Sequence, residues 1–265
     1  MLKKRLIPVL LLQNGQLVRS ELFRIHQAIG NAVNQALRYN DWSVDELIYL
    51  DISRSETYST WRDDHLVKSP TNPLSLLATL SKTCFMPLTF GGGIRDVERM
   101  RGTFAAGADK ITLNTAAVRT PSLITEGAKR FGSQAIVVSI DAKLHEDGRR
   151  EVYVDGGREP TGKLVAEWAR EIEARGAGEI LLQSIDRDGT AAGYDTDLIS
   201  LVAGAVSIPV IACSGVGRYE DYAAGIRAGA SAVAAANIFH FKDLADRGGK
   251  AALLRAGIDV RPVER

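Results

Sequence analysis

The stretch FGGGIRDVERMRGTFAAGADKITLNTAAV, residues 90–118, decides the fold because a second copy of its pattern follows downstream. Adding 122 to the residue number takes Gly93 to Gly215, and takes the Ala-Gly-Ala sequence of residues 106–108 to that of residues 228–230, without a gap. Each copy predicts a short β-strand, a glycine turn, a helix, a second strand and a small polar end. Because internal repeats determine architecture, the sequence predicts two structurally equivalent halves.

Eight apolar runs of strand length alternate with helical patterns along the chain. This alternation is typical of right-handed β–α–β units around a parallel sheet. Eight such units close into a (β/α)8 TIM barrel, a fold whose usual size matches the 265 residues of this chain. We therefore predict one α/β domain over residues 1–265, a TIM barrel built from two (β/α)4 half-barrel repeats. The predicted strands are residues 5–11, 46–52, 86–90, 108–113, 135–141, 179–184, 209–213 and 231–236.

Several connections depart from a simple barrel. The Asn-Gly pair at residues 14–15 predicts a turn, and residues 26–39 predict an amphipathic helix. An Asp-Gly turn at residues 147–148, between two strand-like runs, predicts a small hairpin inserted after the fifth strand. The long polar loop of residues 53–70 predicts a lid or binding segment, with a plain surface loop as the alternative.

Charge and cysteine content exclude several classes of protein. The 33 basic and 32 acidic residues give a net charge of +1, so we expect neither a nucleic-acid partner nor a membrane-surface partner. Cys84 and Cys213 are too few for a disulfide framework and match no metal-ligand spacing, so we expect a cytoplasmic protein without a metal or cofactor. The N-terminal run MLKKRLIPVLLL contains Pro8 and lacks a cleavage site, and we interpret it as a first strand rather than a signal peptide.

Glycine turns at the carboxyl ends of the strands predict anion sites. In a TIM barrel these ends line the active site, and a glycine turn leaves backbone N–H groups pointing at a ligand. The repeat therefore predicts two phosphate cradles that face each other; the alternative is that the glycines only relieve tight turns. The first cradle comprises Gly92, Gly93, Asn114 and Thr115, and the second comprises Asp188, Gly189, Gly215 and Asn237.

Four charged residues stand at the amino ends of predicted strands, where apolar residues are expected. They are Arg5, Glu46, Lys110 and Glu179. Because buried charges must be paired, two cations and two anions predict a closed ring across the lower mouth of the barrel. The alternative is four solvated side chains on the bottom rim.

Further motifs carry a resemblance to a known family. They are RLIP at residues 5–8, FGSQAIVVSIDAK at 131–143, GAGEILLQSIDRDGT at 176–190 and NIFHF at 237–241. Together with the stretch quoted above, they make the sequence similar over nearly its full length to the HisF family, the cyclase subunit of imidazole glycerol phosphate synthase. The resemblance implies a bis-phosphorylated ribulosyl substrate at the barrel top and a HisH-like glutaminase docked at the bottom. It also implies that ammonia passes through a salt-bridged gate and up the barrel.

The resemblance assigns roles to individual residues. It implies that the four charged residues at the bottom are the ammonia gate and that Asp109 lies at the glutaminase interface. It also implies that six residues lie at the substrate phosphates, namely Gly93, Asn114, Thr115, Gly189, Gly215 and Asn237.

This chain departs from the family at the catalytic position. The resemblance implies two catalytic aspartates, one at the end of strand one and one at the end of strand five. Asp141 supplies the second, but Leu11 occupies the position of the first. Leucine cannot transfer a proton, so we predict impaired cyclisation, with Asp51 as a residue that assists Asp141. Other departures at the barrel top are Arg19, Gln183, Cys213 and Ser214.

These departures lead to a specific functional hypothesis. Related divergent proteins are associated with surface-polysaccharide synthesis, where ammonia converts an acetamido sugar to an acetamidino sugar. We therefore predict a barrel that conducts ammonia, with a separate sugar amidotransferase at its top. The alternatives are a genuine synthase subunit of histidine biosynthesis (a lyase), another phosphosugar barrel enzyme, and an ammonia conduit or scaffold without turnover. Cys213 is either a nucleophile or, as we expect from the lack of a nearby histidine, a structural residue.

Overall fold

The computed structural model describes residues 3–42, 44–58 and 70–263. Most of the predicted lid, residues 59–69, therefore lies outside the described residues, and its role remains a prediction. The strands of the described residues are β1 Arg5–Gln13, β2 Gln16–Glu21, β3 Ile25–Asn31, β4 Leu47–Asp51, β5 Leu88–Gly91, β6 Lys110–Leu113, β7 Ile136–Leu144, β8 Arg150–Val154, β9 Glu159–Leu164, β10 Glu179–Ser184, β11 Val210–Cys213 and β12 Ala232–Ala235.

Helices alternate with the strands of the barrel. They are α1 Ala32–Asp41, α2 Pro73–Leu80, α3 Val97–Ala105, α4 Thr115–Arg119, α5 Ser122–Phe131, α6 Val165–Ala174, α7 Thr196–Ala203, α8 Glu220–Arg227, α9 Asn237–Phe241 and α10 Ala245–Arg255. None of the helices in the described part of the chain has the length and apolar character that crossing a membrane requires.

Eight of these strands close into a parallel barrel, which confirms the predicted fold. The ring order is β1, β4, β5, β6, β7, β10, β11 and β12, and β12 pairs with β1 to complete it. Along β1, Ile7 and Val9 point into the barrel, whereas Leu6 and Leu10 pack against the surrounding helices. The strand is apolar on both faces because both faces are covered. Each such fully buried aliphatic side chain contributes roughly 1.5–3 kcal/mol to folding.

The internal repeat is visible in the backbone hydrogen bonds. Gly107 follows α3 with a φ of 108°, and Gly229 follows α8 with a φ of 111°. Gly107 N donates to Phe104 O at 2.9 Å, and Gly229 N donates to Ile226 O at 3.0 Å, with the same offset of 122 residues. Glycine adopts this conformation without a steric penalty, so each half ends its helix in the same way.

The hairpin predicted after the fifth barrel strand is present and has an additional strand. β7 continues beyond the barrel and pairs with β8 in antiparallel register, with Asp141 opposite Tyr153. Gly148, in the predicted Asp-Gly turn, has a φ of 81°. β9 then pairs with β8, so the insertion covers part of the barrel top.

The predicted helix over residues 26–39 is wrong in its first part. Residues 25–31 form β3, which pairs with β2 in an antiparallel hairpin, and the predicted turn at Asn14 and Gly15 joins β1 to β2. The helix α1 begins only at Ala32, because Asn31 Oδ1 accepts hydrogen bonds from the first-turn N–H groups of the helix and caps it. The connection after β1 is therefore a β-hairpin that stands at the barrel top.

Candidate functional site

The carboxyl ends of the barrel strands open into one cavity of about 1070 Å³. The turns and side chains that line it come from both halves of the repeat, so residues far apart in sequence meet there. The predicted site residues that line it are Leu11, Asp51, Gly92, Gly93, Asn114, Thr115, Asp141, Asp188, Gly189, Gly215 and Asn237.

The first cradle depends on two glycines with positive φ. Gly92 has a φ of 114°, and a Cβ placed on it would lie 2.1 Å from Asp51 O. Gly93 has a φ of 64°, but a Cβ on it would meet no atom within 4 Å. Gly92 is therefore required by packing, whereas Gly93 faces open space. Beside them, Thr115 Oγ1 accepts a hydrogen bond from Asp155 N at 3.0 Å, which holds the inserted hairpin near the cradle.

The second cradle repeats this backbone geometry. Ser214 and Gly215 have φ values of 80° and 93°, and they occupy the positions of Gly92 and Gly93 in the other half. A Cβ on Gly215 would lie 2.3 Å from a backbone oxygen, so a glycine is required there. Asn237 Nδ2 donates to the Ser20 carbonyl at 3.2 Å, which places it against the β2–β3 hairpin.

Asp188 lines the cavity and contacts the β2–β3 hairpin, and its place at a phosphate remains a prediction. Its Oδ2 accepts hydrogen bonds from Ser20 Oγ at 2.6 Å and from Phe23 N at 3.1 Å. Burial raises the pKa of Asp188 above its usual value, an effect that these two donors oppose. These contacts hold the β2–β3 hairpin beside the cavity. Gly189, which also lines the cavity, stays a predicted phosphate-binding residue.

Asp141 is a buried carboxyl group within a small polar cluster. Its Oδ1 accepts hydrogen bonds from Gln183 Nε2 at 3.1 Å and from Ser139 Oγ at 3.2 Å. Burial raises the pKa of Asp141 to about 7, although hydrogen bonds from Ser139, Gln183 and Asn114 oppose the shift. A group with this pKa exchanges protons readily near neutral pH, as a general acid or base must.

The other candidate catalytic residues are less suited to proton transfer or nucleophilic attack than Asp141. Leu11 lines the cavity with an aliphatic side chain that cannot transfer a proton. Asp51 is engaged at both oxygens, since Oδ2 accepts from Tyr58 Oη at 2.6 Å and Oδ1 accepts from Ser53 N at 2.8 Å. Burial raises the pKa of the Cys213 thiol to about 12, so this thiol stays protonated and is a poor nucleophile.

The four charged residues at the amino ends of the strands form a closed ring of ion pairs, here called the ionic ring. Arg5 bridges Glu46 at 2.6 Å and Glu179 at 2.5 Å. Lys110 bridges the same two glutamates at 2.9 Å and 2.7 Å. Thr89 Oγ1 also donates to Glu46 at 3.1 Å. Each charge is thus paired twice, which is what burial at the barrel mouth demands.

Asp109 stands beside the ionic ring on the same face of the barrel. It is exposed, and its Oδ2 accepts a hydrogen bond from Leu88 N at 2.8 Å. Its assignment to a glutaminase interface remains a prediction.

An apolar interior separates the ionic ring from the cavity. Thr112 and Ser139 are also buried at inward-facing strand positions, but most of the barrel above the ring is filled by a distinct cluster of buried apolar side chains. Its members are Ile7, Val9, Ile48, Val137, Leu181, Ile211, Cys213, Ala232 and Ala234.

Sequence reasoning missed Ser139, Ser20 and Thr89. Ser139 and Asp141 are two residues apart on β7, so the strand period of two predicts that both face the barrel interior. The same period places Thr89 of β5 inside. No pattern in the sequence indicated Ser20, because it reaches Asp188 only once the β2–β3 hairpin has formed.

The comparisons with known proteins agree with this architecture. The family model described as "Histidine biosynthesis protein" matches residues 5–245. The imidazole glycerol phosphate synthase subunit HisF of Gluconacetobacter diazotrophicus is 43% identical over 261 residues, covering 98% of this chain and 97% of that protein. The HisF subunit of Caulobacter vibrioides is 45% identical over 263 residues, covering 98% and 97%. That of Alkaliphilus metalliredigens is 42% identical over 262 residues, covering 98% and 100%. The chain therefore belongs to the HisF family of histidine biosynthesis proteins.

Proposed function

We propose that this chain is the ammonia-using synthase subunit of a glutamine amidotransferase, and that its reaction is the one for which its relatives are named. One observation carries the proposal: an ionic ring closes one mouth of the barrel, and a cavity with two glycine cradles lies at the other. This arrangement suits a small molecule that enters at the bottom and an anionic ligand held at the top.

The interior favours ammonia over ammonium. The ionic ring is neutral overall, because its two cations are paired with two glutamates, so it offers an approaching ammonium ion no net attraction. Beyond the ring, an apolar interior makes the transfer of a charged molecule costly, whereas a neutral one passes more easily. Docking of a HisH-like glutaminase on this face, near the exposed Asp109, is the event that we expect to open the ring.

The top of the barrel suits a ligand with two phosphates. The glycines of each cradle turn the backbone so that its N–H groups are free for an anion. The cradles come from equivalent turns of the two halves, so one elongated ligand with a phosphate at each end spans the cavity between them. A bis-phosphorylated ribulosyl compound has this form.

The cavity contains one of the two proton-transfer groups that the family uses. Asp141 supplies one proton-transfer group, but Leu11 removes the other. Loss of a positioned acid or base lowers the rate by about 10²- to 10⁴-fold. We therefore propose that the chain binds the substrate and receives ammonia but cyclises slowly.

A second candidate function follows from Leu11. In this alternative the barrel conducts ammonia to a separate sugar amidotransferase at its top, which converts an acetamido sugar to an acetamidino sugar for a surface polysaccharide. Conduction alone, without turnover, does not require the missing aspartate. The relatives support the synthase reaction instead, since each is named as a synthase subunit.

A comparison of nitrogen sources tests the proposal. Product formation from the bis-phosphorylated ribulosyl substrate is measured first with an ammonium salt, and then with glutamine plus a HisH-type glutaminase from the same genome. The proposal expects imidazole product from both sources. No product from either, together with amidation of an acetamido sugar when a sugar amidotransferase is added, would favour the second candidate.

A further inference from the structure

Asp141 of β7 and Gln183 of β10 are direct partners in the register of two adjacent strands. Gln183 Nε2 lies 3.1 Å from Asp141 Oδ1 and 3.1 Å from Ser139 Oγ. Ser139 Oγ in turn donates to the same Oδ1 at 3.2 Å. Two donors therefore converge on Oδ1 of the buried carboxyl group, and Asn114 is a further neutral donor to Asp141.

The orientation of the Gln183 amide follows from these contacts. If the amide were reversed, its oxygen would face the Asp141 carboxylate and the two acceptors would repel each other. In the orientation observed, the amide nitrogen of Gln183 donates hydrogen bonds to both Ser139 Oγ and Asp141 Oδ1. The hydrogen bonds thus distinguish the two oxygens of Asp141.

We propose that Gln183 is a positioning residue for Asp141: with Ser139 it occupies Oδ1, and it thereby assigns the exchangeable proton to Oδ2. This inference rests on the proposed function, because it concerns the proton-transfer group of that site. When Asp141 acts as an acid, the O–H bond at Oδ2 breaks, the proton bonds to a ligand atom, and the carboxylate keeps the electron pair. The reverse step restores the acid.

The charges around Asp141 make the Gln183 donor important. Burial raises the pKa of Asp141, and Asp188, which follows β10, raises it further. Asp51 on β4 and the protonated Cys213 on β11 line the same cavity and bring no positive charge. Five arginines also line it, but none of them is among the groups that shift the pKa of Asp141; they are Arg24, Arg54, Arg95, Arg119 and Arg158. Neutral donors are therefore what keeps Asp141 partly ionised near neutral pH.

A pH titration of Asp141 in the full chain, without ligand or glutaminase, tests this inference. The carboxyl signals of ¹³C-labelled aspartate are followed by NMR, and Asp141→Asn identifies the signal of interest. Gln183→Leu keeps most of the side-chain volume but removes the donor, so we expect the titration midpoint to rise by about one pH unit. Gln27→Leu is the control, because among the contacts of the described residues the Gln27 side chain accepts a hydrogen bond from Arg19 on the β2–β3 hairpin and none links it to Asp141, so it should leave the midpoint unchanged.

Gln183→Met provides a second variant without the donor if the leucine variant does not fold, as judged by circular dichroism. A midpoint that stays at the wild-type value in a folded variant overturns the inference, even if stability has fallen. The titration requires no turnover, so it remains informative if the synthase reaction is not observed. Conversely, a raised midpoint with no cyclase activity would support the positioning role and count against the proposed function alone.

Discussion

Leu11 and Asp141 line one cavity from opposite sides of the barrel. Leu11 lies on β1, the first strand in the ring order, and Asp141 lies on β7, the fifth of eight, so half of the ring separates them. The two strands open equivalent halves of the internal repeat. The halves therefore share a backbone but differ in chemistry at this pair of positions.

The ionisation of Asp141 should make stability depend on pH. The pKa of Asp141 is about 7 in the folded protein, against a reference value of 3.8 for an unperturbed aspartate. The folded state therefore binds more protons than the unfolded state between these values, and the wild type loses stability as pH rises through this window. Asp141→Asn has no such loss. We therefore expect the free energy of unfolding of Asp141→Asn, relative to that of the wild type, to be higher at about pH 7 than at about pH 4 by up to about 4 kcal/mol.

Urea unfolding of both proteins at several pH values measures this difference. A constant difference across the window would contradict the account of Asp141, whatever the absolute stabilities are.

The two glycines of the first cradle should respond differently to alanine. At Gly92 a Cβ would lie 2.1 Å from Asp51 O, so we expect Gly92→Ala to cost about 3 kcal/mol or more of stability. At Gly93 the space is open and only the positive φ is unfavourable, so the cost should be about 1 kcal/mol. Because the new methyl group would face the cavity, Gly93→Ala should nevertheless weaken phosphate binding.

Calorimetric titration with inorganic phosphate, alongside urea unfolding, separates the two effects. If Gly93→Ala bound phosphate as tightly as the wild type, the glycines would serve only to relieve the turns.

The barrel was predictable because its strands are apolar on both faces. Each predicted strand falls within a few residues of one that is observed, as for residues 179–184 and β10 Glu179–Ser184. The β2–β3 hairpin was not predictable in the same way. Most of β3 is exposed, so it shows no alternation of buried and exposed residues, and its polar sequence also fits the start of a helix.

The candidate site was predictable where its residues stand at strand ends. The strand-end rule predicted that Arg5 and Lys110 meet the two glutamates, and it also placed Asp141 at the barrel top. The contact between Asp188 and Ser20 was not predictable, since the two residues are 168 positions apart in the chain. Contacts of that kind require the folded hairpin.

Each residue of the ionic ring should contribute to the stability of the protein. Lys110→Met leaves Glu46 and Glu179 with Arg5 as their remaining partner in the ring, so we expect a loss of about 3 kcal/mol in stability. Arg101→Met is the matched control, because the Arg101 pair with Glu98 is exposed and should contribute less than about 1 kcal/mol.

The same Lys110→Met variant should also change the ratio of glutamine-dependent to ammonia-dependent turnover. Both proteins are compared by urea unfolding and by the two assays. Equal stability and an unchanged ratio would indicate a solvated rim rather than a gate.

We propose that the barrel retains the synthase architecture but cyclises slowly because Leu11 stands where the family has a carboxylate. The most direct measurement is the ammonia-dependent turnover of the bis-phosphorylated ribulosyl substrate by the wild type, by Leu11→Asp and by Leu11→Asn. The HisF subunit of Caulobacter vibrioides is assayed in parallel. We predict that the wild type is slower than this relative by about 10²-fold or more, that Leu11→Asp recovers much of the rate, and that Leu11→Asn does not. Wild-type turnover equal to that of the relative, with no gain from Leu11→Asp, would contradict the claim.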